Sequence, residues 1–156
     1  MHATLLAALL IGVIAGLRTF TAPTAVSWGA RLGRIPLAGT HLAFMGSVVT
    51  ACILGLLALV EIIVIDPSPK TPSRKAPQAF GARIVSGGFS GAAIGLSAGS
   101  FWLGLILGVI GAVLGTFGGA AFRARLAAAF GKDLPAALIE DAIAIVGAFV
   151  IVAWLA

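Results

Sequence analysis

Charge is what this sequence has least of: Asp, Glu, Lys and Arg make up only 10% of its 156 residues, where a soluble domain carries ~25%. Hydrophobic residues make up 60% and the mean hydropathy is +1.15. A chain this short has no interior large enough to hide that much apolar surface, which argues against a soluble fold. Cysteine is nearly missing too. Cys52 stands alone inside an apolar run, so neither an intrachain disulfide nor a cysteine-based metal cluster is available, and the thiol is expected to be a small packing residue. Histidine offers no more, since His2 is terminal and His41 has no second His or Cys at ligand spacing; no metal or haem site is expected. With no Gly-rich phosphate loop and no Ser/His/Asp arrangement, no catalytic residue, enzyme activity or cofactor is expected either. Only Met1 and His2 precede the first apolar run, so that run reads as a retained helix rather than a signal peptide.

What is present is a series of long apolar runs, and a chain in a bilayer must satisfy its backbone hydrogen bonds internally, which leaves helices as the economical solution. Residues 3–20 form the first run, ending near Arg18. Residues 22–33, opening on Ala22-Pro23, are too short to cross and read as a half-helix. Residues 42–65 carry one charge, Glu61, and at ~1.5 Å per residue reach roughly 35 Å, enough to span. The proline-rich stretch Asp66 to Gln78 reads as an extended polar loop. The uncharged stretch Ile84 to Phe122 is too long for one crossing and turns at Gly99-Ser100, giving spans at 82–98 and 101–122. Arg123 to Asp133 reads as a polar connection, and 134–155 as the last span. The expected fold is a single all-α transmembrane domain, residues 1–156, with five spans plus the half-helix.

An odd number of crossings puts the termini on opposite sides. Lys70, Arg74, Lys75, Arg83, Arg123, Arg125 and Lys132 then share a side with the N-terminus, leaving Arg18, Arg31 and Arg34 opposite, and the positive-inside rule places the N-terminus in the cytoplasm. Trp28, Trp102 and Trp154 fall toward the other face, as an aromatic belt requires. The scattered basic residues fit topology-setting loops and not a nucleic-acid surface. Leu17-Arg18-Thr19-Phe20-Thr21-Ala22 recurs approximately as Leu114-Gly115-Thr116-Phe117-Gly118-Gly119. With five spans the two copies face opposite ways, so an inverted repeat is one reading and coincidence the other.

Two groups of residues stand out. Gly87, Gly91, Gly95 and Gly99 recur every four residues, and Gly104, Gly108, Gly111, Gly115 and Gly119 continue the pattern; such stripes let two backbones approach closely, within one chain or in a homo-oligomer. Glu61, Glu140 and Asp141 are carboxylates inside apolar segments and need compensating charge, for which Arg74 and Arg83 are in reach. A cluster of this kind binds a polar group or relays protons, or else only fixes helix order. Arg18, Thr19, Thr21 and Pro23 form a second candidate, where backbone groups freed near a proline can face a solute; a snorkelling arginine is the plain alternative.

Gly16-Leu17-Arg18-Thr19-Phe20-Thr21-Ala22-Pro23 with Trp28, Asp66, Pro72-Ser73-Arg74 with Arg83, and Glu140-Asp141-Ala142 together resemble a family of small multi-helix bacterial membrane proteins known only as a domain of unknown function. The resemblance covers nearly the whole chain and implies a multi-pass protein of the bacterial inner membrane, with no activity attached. At Asp66 the sequence departs from that pattern, because Pro67 and Ser68 follow where the family has Lys and Pro. The function expected is that of a small transporter- or channel-like protein for a small polar or amphiphilic solute, in contact with membrane lipid. The alternative is an accessory protein that acts through helix packing.

Overall fold

The computed structural model describes residues 2–65 and 73–155, and these are helical almost throughout. Six α-helices occur among them: α1 His2–Leu17, α2 Thr21–Arg31, α3 Val48–Val60, α4 Pro77–Ser97, α5 Phe101–Phe130 and α6 Asp133–Trp154. A 3₁₀ turn, Ala43–Gly46, precedes α3, and a π-helical turn, Glu61–Ile65, extends it. By length and composition α4, α5 and α6 can each cross a membrane, while α1 and Val48–Val64 are shorter apolar helices.

Local chemistry sets most boundaries. Ser47 caps α3 by accepting the Thr50 N–H at 3.1 Å, so the span expected at 42–65 is in fact a 3₁₀ turn followed by a shorter α-helix. Pro77 sits in the first turn of α4, where its missing N–H costs nothing; that helix therefore starts earlier than the expected residue 82. Gly99 supplies the left-handed backbone (φ 70) of the tight turn into α5, and so belongs to the turn and not to the packing stripe. The expected polar connection from Arg123 is also helical, because Arg, Leu and Ala sustain α5 as far as Phe130; Gly131 (φ 65) then ends it. Cys52 is exposed on α3 rather than packed inside.

The core is a backbone-on-backbone sandwich centred on α5. A Cβ built on Gly91 would lie 2.4 Å from the Gly104 carbonyl oxygen, and one on Gly95 2.7 Å from the Gly104 Cα, so α4 and α5 run antiparallel with nothing between their backbones. On another face of α5, a Cβ on Gly111 would meet the Leu9 oxygen at 2.1 Å and one on Gly115 the Val13 oxygen at 2.1 Å. Residue numbers rise together along that seam. Helices α1 and α5 are therefore parallel.

The helix directions differ from those expected, and α2 is the reason. Every residue from Thr21 to Ser27 is buried. The helix leads the chain back past α6, where Gly29 packs on Val152 and Arg34 Nη1 donates to the Ala153 carbonyl at 3.1 Å. The half-helix thus completes a return pass, and α3 repeats the direction of α1. Consequently α1 and α6 are antiparallel, the N-terminal end lies opposite the segment leading into α4, and it does not share a side with Arg74 and Arg83 as expected. Arg18 moves to their end as well. The two motif copies lie on parallel neighbours, Gly16 against Gly115 and Thr116, which removes an inverted relation between them. Trp28, Trp102 and Trp154 do share one end, the one away from Arg18.

Candidate functional site

Between Leu17 and Thr21 the chain stops being helical, so carbonyls at the end of α1 and N–H groups before α2 lose their helical partners. Side chains from two neighbouring helices take them up. Glu61, where α3 passes into its π-helical turn, receives the Thr19 N–H on Oε1 at 2.8 Å and the Phe20 N–H on Oε2 at 2.9 Å. A carboxylate here also meets the positive end of the α2 dipole. From α4, Arg83 Nη1 donates to the Gly16 and Leu17 carbonyls at 3.4 and 3.2 Å, and the Ser86 hydroxyl donates to the Thr19 carbonyl. Three residues apart, Arg83 and Ser86 share one face of α4.

The same level holds the ion pairs. Glu140 and Asp141 are adjacent and so point about 100° apart around α6, which sends them to different partners. Asp141 Oδ1 accepts from Arg18 Nε at 2.5 Å, and Arg18 is 1% exposed. Glu140, also 1% exposed, is gripped by both terminal nitrogens of Arg74, with Nη2–Oε2 at 2.9 Å. Arg123 Nη1 stands 3.5 Å from Glu140 Oε2, and its Nε and Nη2 bind the two Asp133 oxygens at 3.0 and 2.6 Å. Gly119 makes room for this, since a Cβ there would come within 3.2 Å of Arg74 Nη1 and 3.3 Å of Glu140 Oε1. Glu61, Arg74, Arg18 and Glu140 all lie within electrostatic reach of Arg83.

Of the residues singled out in the sequence, Arg18, Thr19, Glu61, Arg74, Arg83, Glu140 and Asp141 meet in this layer. Thr21 is buried and its hydroxyl has no partner among the described residues. Pro23 lies outside the charged layer, in an apolar groove of about 380 Å³ that Thr19, Phe20, Leu54 and Phe89 also line. Asp66 lies outside the described residues. The backbone groups at residues 16, 17, 19 and 20 are held by protein side chains rather than open to a solute. Sequence reading missed Arg123, Asp133 and Ser86. The signal for Ser86 was its helical spacing from Arg83; Arg123 and Asp133 were assigned to a connection.

Comparison with protein-family models, curated proteins and solved structures gives no match. Function must be read from the chemistry of the layer. Among the described residues no three His, Cys, Asp or Glu side chains converge as a metal set. Two spaces adjoin the layer between α3 and α6. One is a groove of about 450 Å³ whose wall includes Ile62, Ile63, Leu134 and Leu138 together with Arg123, Asp133 and Asp141. The other is a cavity of about 160 Å³ reaching Thr21 and Thr24, with Ile62 common to both.

Proposed function

We propose that this chain is an integral protein of the bacterial inner membrane, transporter- or channel-like, which binds or moves a small polar or amphiphilic solute at its charged end. The observation that carries the reading is the break between α1 and α2, whose backbone is clamped from both sides by Glu61, Arg83 and Ser86. Non-helical backbone inside a membrane protein is tolerated where protein or a cavity satisfies it, and discontinuous helices recur at transporter sites. The distribution of polarity supports insertion. Arg18, Glu61, Arg83, Glu140 and Asp141 are buried, while Ile53, Leu56, Val85, Leu103, Val146 and Val150 face outward, the reverse of a soluble protein.

Every described Lys and Arg except Arg31 and Arg34 lies at the end that holds the ion pairs. By the positive-inside rule that end faces the cytoplasm, which in this reading puts the N-terminus on the other side. The resemblance to small bacterial membrane proteins of unknown function agrees with this location. The glycine faces of α4 and α5 are occupied within the chain, so a homo-oligomer would have to use other surfaces, such as the outer face of α3.

The test is uptake into proteoliposomes of a labelled panel comprising an amino acid, a polyamine and a lipophilic cation. Wild type should move at least one of them faster than protein-free vesicles do, and Glu61→Gln, which keeps shape but loses charge, should not. A second reading, an accessory protein whose charges only fix helix order, is favoured by one fact: Glu61, Glu140 and Asp141 already have protein partners. Uptake by none of the panel would select it.

A further inference from the structure

Beside the charged layer, between α3 and α6, lies the cavity of about 160 Å³. Helix α2 forms its floor with Thr21 and Thr24, α3 one wall with Gly55 and Ala58, and α6 the other with Ile145 and Phe149. The two threonines are buried while Ile145 and Phe149 are exposed, so the cavity opens sideways, toward lipid in a membrane-inserted chain. Among the described residues no charged side chain lines it.

The threonines set its polarity. Thr21 is 4% exposed and its hydroxyl has no partner among the described residues, although buried hydroxyls nearly always have one. Thr24 gives its hydrogen to the Phe20 carbonyl at 2.7 Å and keeps acceptor positions. Together they offer one donor and several acceptors, which a single hydroxyl, itself donor and acceptor, can answer. A helical threonine divides between two χ1 rotamers, so the Thr21 hydroxyl turns toward a ligand at little cost. An ionised group in the same place would lose its hydration with no opposite charge in the wall. Size narrows the choice further, since an apolar cavity of about 150 Å³ takes up a benzene ring.

We propose that this cavity binds a neutral molecule the size of one aromatic ring carrying a single hydroxyl, with the hydroxyl bonded to Thr21 and the ring held between Ala58, Ile145 and Phe149. Such a molecule dissolves in a bilayer and reaches the cavity from the side. The site is separate from the charged layer and does not depend on what that layer binds or moves.

The compounds para-fluorophenol and para-fluorotoluene differ by a hydroxyl in place of a methyl. Fluorine NMR titration of each into the purified protein in neutral detergent, against protein-free micelles, reads saturable binding. Wild type should bind para-fluorophenol, and its preference over para-fluorotoluene should fall about two- to tenfold in Thr21→Val, the worth of one neutral hydrogen bond. Because that ratio is compared between two proteins, unequal partition of the ligands into micelles cancels. Thr21→Val should fold, since valine keeps the shape and removes a hydroxyl with no partner among the described residues. Gly55→Leu should abolish binding of both compounds: a Cβ there meets only Thr24 Cγ2, at 3.9 Å, so the added side chain enters the cavity. Gly118→Leu, on α5 with nothing within 4 Å of its Cβ, should leave binding intact. The proposal is overturned by absence of saturable para-fluorophenol binding to wild type, by a ratio unchanged in Thr21→Val, or by binding that survives in Gly55→Leu. If Gly55→Leu fails to elute as a folded species, the ratios for wild type and Thr21→Val still decide. Binding of para-fluorophenol without uptake of any panel solute keeps this site and ends the transport reading; uptake without that binding does the reverse.

Discussion

Gly108 and Gly118 lie on the same helix and differ in what surrounds them, which makes the packing argument testable within one element. A Cβ on Gly108 would stand 2.2 Å from the Gly87 oxygen and 3.0 Å from the Gly91 Cα, while one on Gly118 would meet nothing within 4 Å. Carbon and carbonyl oxygen come no closer than ~3.3 Å even in favourable contacts, so Gly108→Ala must move α4 by about 1 Å. A gap of that size forfeits a quarter to a half of a well worth ~0.1–0.2 kcal/mol per atom pair, and overpacking adds strain of about 1–3 kcal/mol. Replacing a helical glycine by alanine returns ~1 kcal/mol of propensity at both sites. Because the propensity gain is common to both, Gly108→Ala should end roughly 1–3 kcal/mol less stable than Gly118→Ala, which should itself be neutral or slightly stabilising. Titration with a denaturing detergent, followed by circular dichroism, reads both. Equal midpoints, within the ~0.5 kcal/mol expected of an unconstrained site, would mean that the two backbones are not in contact.

Glu140→Ala leaves Arg74, whose side chain is 11% exposed, without its bidentate partner and should cost about 3 kcal/mol, the low end for a buried pair; a loss no larger than that of the exposed control Lys132→Ala would show that the pair is solvated. Arg18→Lys should lower stability in the same assay, since an ammonium does not reproduce the planar donor set that meets Asp141, and an unchanged midpoint would count against the assigned geometry. In a Cys52→Ser background, Ser73→Cys should react with an impermeant thiol reagent only from the cytoplasmic side and Leu32→Cys only from the other. An N-terminal epitope should follow Leu32. Labelling of both cysteines from one side would refute the topology.

Much of the charged layer was legible because charge inside an apolar run is costly and therefore conspicuous. Glu61, Glu140 and Asp141 were identifiable on that ground, and Arg74 and Arg83 as the cations in reach of them. Their pairing was not. Glu61 was expected to meet an arginine, yet its oxygens meet the Thr19 and Phe20 N–H groups, because backbone donors carry no mark in a sequence. The glycine spacing does not say which neighbour each glycine faces: Gly104 and Gly108 face α4 while Gly111 and Gly115 face α1. Successive glycines three and four apart drift around a helix of 3.6 residues per turn, and the drift let α5 serve two neighbours.

The expected helix directions failed on one short segment. Eleven residues rise only about 16 Å, which by length excludes a full crossing, so Thr21–Arg31 was counted as no crossing at all. Length governs only helices that must satisfy both membrane surfaces themselves. Helix α2 is enclosed by α3, α4 and α6, its start is held below the charged end by Glu61, and the segment from Leu32 to Ser47 carries the chain onward at the other. A segment with protein on most sides need not match the bilayer, because neighbours supply the partners that lipid cannot. Thr21, Thr24 and Ser27, three residues apart within a stretch of low hydrophobicity, were the available sign: such residues avoid lipid, and they also tolerate a protein interior. Once that pass is counted, α1, α3 and α5 run one way and α2, α4 and α6 the other. Arg18 then joins Asp141, and the charged groups collect at one end.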